Sequence, residues 1–511
     1  MFVACAGCRP PDPAAPATSA SSAVAAIPSA AGPAVAAASP PAVGAVREVW
    51  EAHYLQGAKV GHARTSYVRE SEAGRPVVKI VTEGTLRLVR FGKPVEQRMR
   101  EACWEAESGE VLRFENSVTL GTTPQLTVGA VEGERATLTL VTAGKTTTQT
   151  IDWPRGTGGS TAPIDSLRRR PPTVGETRRL RAFLPVFNRI ADVTLRAVRR
   201  EPIVVDGAPR ELLRIETAAV VEGNPPLESV AWCDEQGEVL KTAYPALQMS
   251  SVRTTEEAAK AADGAAPPDL GTGSFVVVDP PWPEAHRSTR AKYRVTLADG
   301  DAAAAFPSRA AQQVRKLPDG SAEITVDAVR PDTPAGSVVD APPTESDRRS
   351  TNLVQSDDPT VAGLAAEAAG AEVDPWRIAI NLEVFVRTYL RSVTFSDAFA
   401  SAAETARERR GDCTEHAVLL CAMLRARGIP ARTAVGLVYV EPSQAFGFHM
   451  WTEAYVGDRW IPLDATIGRG GTSAAYLKVA EASLDGVDPL SAVLPVVRLL
   501  GRLRIEVAER P

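Results

Sequence analysis

Gly411-Asp412-Cys413-Thr414-Glu415-His416 lies where two helical patterns meet, and it places a thiol on the first turn of the second. Gly411 ends one helix, Asp412 can cap the next, and Glu415 three residues on completes a local start signal. Cys413 then takes the first helical position. Unpaired N–H groups and the positive end of the helix dipole favour a thiolate there, and the thiolate is the reactive form. The stretch predicts a helix that presents a nucleophile, and the rest of the chain must supply a base.

Around this point helices come first and strands follow. Asp374-Pro375 is a cap with proline at the first helical position, and Ile378, Leu382, Phe385 and Tyr389 make one apolar face. Ser401-Ala402-Ala403-Glu404 starts a second helix by capping-box logic, and Gly411 stops it. The third begins at Cys413, buries Ala417, Leu420 and Leu424, and ends at Gly428 before Ile429-Pro430. Strands are expected over 431–440, 449–456 and 459–464. The fold class of this region is α+β, with a helix presenting Cys413 and a sheet presenting whatever completes the site.

His449, one of five histidines, opens the strand His449-Met450-Trp451-Thr452-Glu453-Ala454-Tyr455-Val456. Gly457-Asp458 suits a two-residue hairpin turn with Gly first, so Val456 pairs with Arg459 and Trp451 faces Asp464. His449 and Asp464 become diagonal neighbours on one face, roughly 7–8 Å apart at the backbone, a gap that side chains bridge. Glu453 shares the face but stands ~13 Å away along the strand, too far to orient the ring.

Thiol, imidazole and carboxylate are what nucleophilic acyl transfer needs. His449 would deprotonate Cys413 or pair with its thiolate and later protonate the leaving group, while Asp464 would fix the tautomer. The N–H of Cys413 is one candidate oxyanion donor. His416 is the rival base, because residues three apart on a helix are neighbours. A helix N-terminus disfavours an imidazolium, so His416 is assigned a structural role. Zinc held by Cys413, His416 and His449 would rest on a single Cys-x-x-His, a weak metal signal; no metal and no cofactor are expected.

Upstream, 47–256 carries short β-branched and aromatic runs cut by turn residues, including 59–69, 77–90, 136–141, 191–198 and 211–219, and reads as an antiparallel β-rich domain. Cys103 and Cys233 lie in it, either as free thiols or, if the protein is exported, as a disulfide. An Ala/Pro/Gly-rich linker at 257–273 precedes a small β-rich unit at 274–330, whose clearest feature is a hairpin at Pro318-Asp319-Gly320. A second linker at 331–350 leads into the catalytic domain, 351–511.

With 511 residues the chain has room for about three domains of ~150 residues. A net charge of -5 and a pI near 5.8 give no basic footprint, so nucleic acid is set aside as a partner. Residues 9–46 are almost all Ala, Pro, Ser, Gly and Val and read as a tether or a shed leader. Met1-Phe2-Val3-Ala4-Cys5-Ala6-Gly7-Cys8 resembles the end of a bacterial lipoprotein signal, which implies export and a membrane tether through lipidated Cys5 or Cys8. If the match is accidental, the protein is cytoplasmic.

Four segments together resemble the bacterial transglutaminase-like superfamily: Arg410-Gly411-Asp412-Cys413-Thr414-Glu415-His416-Ala417, Arg425-Ala426-Arg427-Gly428-Ile429-Pro430-Ala431-Arg432, His449-Met450-Trp451-Thr452-Glu453 and Trp460-Ile461-Pro462-Leu463-Asp464-Ala465-Thr466. The likeness covers about Val373 to Glu506. It implies a papain-like domain with Cys413, His449 and Asp464 as its catalytic triad. The family holds transglutaminases, cysteine peptidases, amidases and inactive members. The expectation is therefore a thiol enzyme acting on a protein or peptide and transferring the acyl group to water. The alternatives are transfer to an amine, which crosslinks proteins, and a catalytically silent envelope scaffold.

Overall fold

The computed structural model describes residues 44–510, except 73, 121–123, 143, 206, 223, 263, 265, 334–338, 392–398 and 487–488. The expected leader, with Cys5 and Cys8, falls before residue 44 and so outside the described residues. The molecule is β-rich, with three sheets and seven α-helices among the described residues.

The first sheet has fifteen strands, all within Gly44–Thr254. Tight turns with left-handed residues, such as Gln56-Gly57, connect consecutive strands, and Gly44–Leu55 pairs with Met249–Thr254 to join two meanders edge to edge. Alternation is clearest in Arg135–Thr142, where Ala136, Leu138 and Leu140 turn inward. The sheet curls strongly. Phe114 and Phe183, on strands far apart in the sheet order, bring their rings to 4.3 Å. The helix Ala162–Arg169 lies against the same wall, where Tyr67 Oη donates to Asp165 at 3.2 Å. Cys103 and Cys233 are both free thiols.

Towards the C-terminus the helices Pro359–Ala369, Pro375–Tyr389, Ala402–Glu408 and Cys413–Ala426 begin at side-chain caps. Asp358, Asp374 and Ser401 accept the first-turn amides of Thr360, Arg377 and Glu404 at 2.9, 2.9 and 3.3 Å. The helix starting at Ala402 ends in left-handed Arg409, two residues before the expected stop. Every residue from Cys413 to Arg425 is buried. That helix is wedged between the other three and the strand Ala445–Val456, to which Thr452 Oγ1 ties it by donating to Ala417 O at 2.9 Å. Even Arg425 is accommodated, because its guanidinium donates to the carbonyls of Ala431, Arg349 and Ser483 at 2.9, 2.8 and 3.0 Å.

The five-stranded sheet runs Val276–Val277, Ala445–Val456, Ala431–Val440, Tyr476–Ala482, with Arg459–Leu463 also paired to Ala445–Val456. The third sheet orders Gln312–Lys316, Ala322–Asp327, Arg290–Leu297 and Leu503–Glu509. These pairings correct the expectation of a separate unit at 274–330. One of its strands edges the sheet that carries His449, another pairs with Leu503–Glu509, and Tyr293 and Ile324 share a core with Cys413 and Trp451. The hairpin at Pro318-Asp319-Gly320 forms where expected.

Both linkers are anchored to the body at acidic residues, although many of their described residues are exposed. Asp269 and Asp340 accept backbone amides from Phe91 and Ala310, both at 2.9 Å, and buried Asp347 accepts from Ser483 Oγ. Composition signalled loops correctly, but acidic residues in a loop also satisfy amides of neighbouring elements.

Candidate active site

The site is assembled from a helix start, a strand and the end of a hairpin. Asp412 Oδ1 accepts the Thr414 N–H at 2.9 Å and its hydroxyl at 3.0 Å, while Glu415 Oε2 accepts the Asp412 N–H at 2.9 Å, a capping box as predicted. Glu415 Oε1 reaches back to the Ala400 N–H at 3.1 Å. Gly411 is required by proximity, since a Cβ there would come 2.3 Å from Cβ of Glu415. Cys413 follows as the first helical residue, with no exposed surface.

The hairpin register is Val456 opposite Arg459 through Thr452 opposite Leu463, as derived from the turn. Gly457 and Asp458 both have φ of +60°, a type I′ turn rather than the Gly-first type, and the two give the same pairing. Asp464 stands just beyond the last pair. There its Oδ2 meets His449 Nε2 at 2.7 Å, which leaves Nδ1 as the ring nitrogen not bound to Asp464, and the Cys413 thiol lies near enough to favour the imidazolium. The structure thus brings Cys413, His449 and Asp464 together.

Three residues outside the sequence reading hold this arrangement. Tyr476 Oη donates to the same Asp464 Oδ2 at 2.7 Å, and its ring lies 6.0 Å from that of His449. Glu383, fully buried in the Pro375–Tyr389 helix, accepts the N–H groups of Asp464, Gly470 and Gly471 at 2.8, 2.8 and 3.3 Å. Arg90, from the N-terminal sheet, sets Nη1 2.7 Å from Asp412 Oδ2. No periodicity or motif announces any of the three. Tyr476 arrives through a strand pairing with Ala431–Val440 that skips the intervening strands, Arg90 sits at the tip of a local hairpin of the N-terminal sheet that docks here, and Glu383 looks like an ordinary polar residue on an amphipathic helix.

Burial sets the electrostatics. It opposes charge on His449, but the Asp464 carboxylate and the thiol outweigh it and hold the imidazolium up to about 10. Asp464 is buried too, and its charged histidine and three hydrogen-bonding partners pull it well below the usual carboxylate range. Desolvation raises the Cys413 thiol, the Asp412 charge adds to this, and His449 and Arg90 pull the other way. The positive helix end, His449 and Arg90 favour the thiolate, against a cost of burying the charge that no sequence motif reveals. Burial also pushes Glu383 up to about 7, against the pull of its three amide donors.

His416 turns Nδ1 onto Asp412 O at 2.6 Å. A carbonyl only accepts, so that nitrogen carries the proton and is committed to the helix start. Glu453 pairs with Lys478 Nζ at 2.7 Å and Arg432 Nε at 2.8 Å, in a buried ionic cluster apart from the histidine.

Residues 362–465 match the model of the transglutaminase-like superfamily, and the chain carries a transglutaminase-like domain there. The match includes Cys413, His449 and Asp464 and stops short of Tyr476. No curated protein matches. Among solved structures, a "putative cysteine protease" from Cytophaga hutchinsonii is 18% identical, covering 45% of this chain and 82% of its own, with a TM-score of 0.27. A β-barrel-like protein of a domain of unknown function from Brucella abortus is 13% identical over 40% of this chain and 94% of its own, with a TM-score of 0.31. A "putative protease" from Parabacteroides distasonis is 12% identical over 67% of this chain and 64% of its own, with a TM-score of 0.18.

Proposed function

We propose, starting from the transglutaminase-like domain at 362–465, that the protein is a papain-like α+β thiol enzyme that hydrolyses a peptide or carboxamide bond through Cys413. The observation that carries this reading is the buried chain of Asp464, His449 and Cys413, with its 2.7 Å carboxylate–imidazole bond. A salt bridge kept away from water and pointed at a thiol has little structural purpose, since apolar residues would stabilise the same volume as well.

Cys413 Sγ, as the thiolate beside charged His449, attacks the carbonyl carbon, and the electron pair moves to the carbonyl oxygen. The Cys413 N–H, a first-turn amide that a helix leaves unpaired, is placed to receive that oxygen. Collapse expels the amine, which takes its proton from His449 and leaves a thioester. Neutral His449 then removes a proton from water as the water oxygen attacks the thioester. Carboxylic acid leaves, and the thiolate–imidazolium pair returns. Asp464, held by the Tyr476 hydroxyl, keeps Nε2 engaged throughout, so Nδ1 is the nitrogen that exchanges protons.

Incubation with a glutamine-containing protein tests this, scoring new termini, ammonia release and incorporation of a primary amine against Cys413→Ala. Termini or ammonia without incorporation supports hydrolysis. Incorporation exceeding hydrolysis means that an amine is the acceptor, and no product from the wild-type chain overturns the enzyme reading. The export proposal is tested by the mass of the mature N-terminus, which should carry lipid on Cys5 or Cys8.

A further inference from the structure

We propose that Arg90, delivered by a hairpin of the N-terminal sheet, is a positioning residue of the thiol site, holding the Asp412 carboxylate and setting the charge balance around Cys413. This rests on the reading of Cys413 as the nucleophile.

The hairpin joins Arg75–Arg90 to Lys93–Ala106 with Arg90 opposite Lys93, so Phe91-Gly92 forms the whole turn. Phe91 adopts φ +49° and Gly92 φ +72°. A phenylalanine in the left-handed region is held there by its surroundings. Those surroundings are a clamp. Asp269 accepts the N–H of Phe91 at 2.9 Å and of Gly92 at 2.7 Å, and the Leu270 N–H donates to Val89 O at 2.8 Å. Gly271 lies so close that a Cβ would come 2.6 Å from the Phe91 nitrogen. The Phe91 ring rests 6.3 Å from that of Phe275. Phe275 in turn covers Gly447, two residues before His449, where a Cβ would meet the ring at 2.5 Å. The hairpin tip is therefore registered against both the strand of His449 and the helix of Cys413.

What the clamp delivers is a charge. Arg90 Nη1 stands 2.7 Å from Asp412 Oδ2, with the two side chains 18% and 0% exposed. Asp412, Cys413 and Glu415 are the titratable groups that face the guanidinium, and Asp412, His449 and Arg90 are the charges that face the thiol. Without Arg90 the Asp412 carboxylate would be buried and uncompensated on the residue preceding the nucleophile, and its field would oppose thiolate formation. The N-terminal sheet thus contributes to the site that the C-terminal region carries.

The test is the pH profile of alkylation at Cys413, followed peptide by peptide in the full-length chain. In Arg90→Gln the midpoint should move up by about one to two pH units, and Arg90→Lys should return most of the shift. Asp412→Asn keeps a good helix cap and removes the opposing charge, so its midpoint should fall. The double variant Arg90→Gln/Asp412→Asn should lie near the wild type. That cancellation keeps the test decisive if Arg90→Gln alone folds poorly. A hairpin that merely docked would not distinguish Lys from Gln. Profiles of Arg90→Gln and Arg90→Lys that both superimpose on the wild type overturn the assignment while leaving the nucleophile intact. Wild-type Cys413 reacting no faster than Cys103, Cys233 and Cys421 overturns the nucleophile reading, and this one falls with it.

Discussion

In the sheet spanning Gly44–Thr254, every neighbouring strand pair but one is consecutive in sequence, whereas half of the pairings in the sheet that holds His449 join strands distant in the chain. The first region keeps its apolar residues in several small clusters and lines much of its surface with exposed Arg–Glu pairs. The second draws segments from Val276 to Ile505 into two large cores, one of them with Cys413 inside it. Local pairing makes a scaffold that tolerates change strand by strand. A local hairpin sets the imidazole beside one carboxylate, helix packing and non-consecutive pairing add a thiol, a second carboxylate and a phenol, and a single substitution there acts on all of them.

The largest effect is expected at the nucleophile. Cys413→Ala or His449→Ala should lower turnover by roughly ten-thousand-fold, measured as initial rate on any substrate found, with the melting temperature little changed for Cys413→Ala. Comparable residual activity in His449→Ala but loss in His416→Ala would mean that the imidazole was misassigned.

Asp464→Asn should cost roughly a hundred- to ten-thousand-fold in kcat by releasing the tautomer. Glu453→Gln is the matched control, on the strand that carries His449. It leaves Lys478 and Arg432 short of a buried partner, so chemical denaturation should show a loss of about 3–5 kcal/mol while kcat of the folded fraction changes little. The reverse pattern would relocate the orienting carboxylate to Glu453.

Glu383 offers a smaller, pH-dependent effect. Its carboxyl is pushed up from 4.5 to about 7 in the folded chain, so the folded state binds the proton more tightly than the unfolded one. The stability it contributes is fully present below pH ~4.5 and lost as pH rises through ~7. Melting temperature in Glu383→Gln should accordingly fall less between those pH values than in the wild type. An identical slope would show that the carboxyl titrates normally. The smallest effect belongs to the scaffold: Arg98→Ala, from an exposed pair with Glu96, should change stability by at most about 0.5 kcal/mol and leave activity unchanged.

The same contrast explains what was legible in the sequence. Short-range signals were read well: the caps at Asp374, Ser401 and Asp412, the hairpin register from Gly457-Asp458, and strands such as Arg75–Arg90. His449 and Asp464 could be placed on one face because a two-residue turn fixes their pairing. Tyr476, Glu383 and Arg90 could not, since nothing near them in the chain says which strand or loop they will meet. The 274–330 segment was misjudged as independent for the same reason: its hairpin is local, but the partners that bury it lie at 445–446 and 503–509. The cost of burying a charge at Cys413 is not legible because a helix dipole is visible in sequence and full burial is not.

The most direct test of the central claim is the relative rate of iodoacetamide labelling at four thiols, read by mass spectrometry at neutral pH. Cys103, Cys233, Cys413 and Cys421 are all pushed up by burial, but Cys413 is the one with the imidazolium of His449 beside it. Cys413 should be labelled first, and His449→Ala should slow it at least about tenfold. Labelling of Cys413 no faster than the other three, and unaffected by His449→Ala, would contradict it.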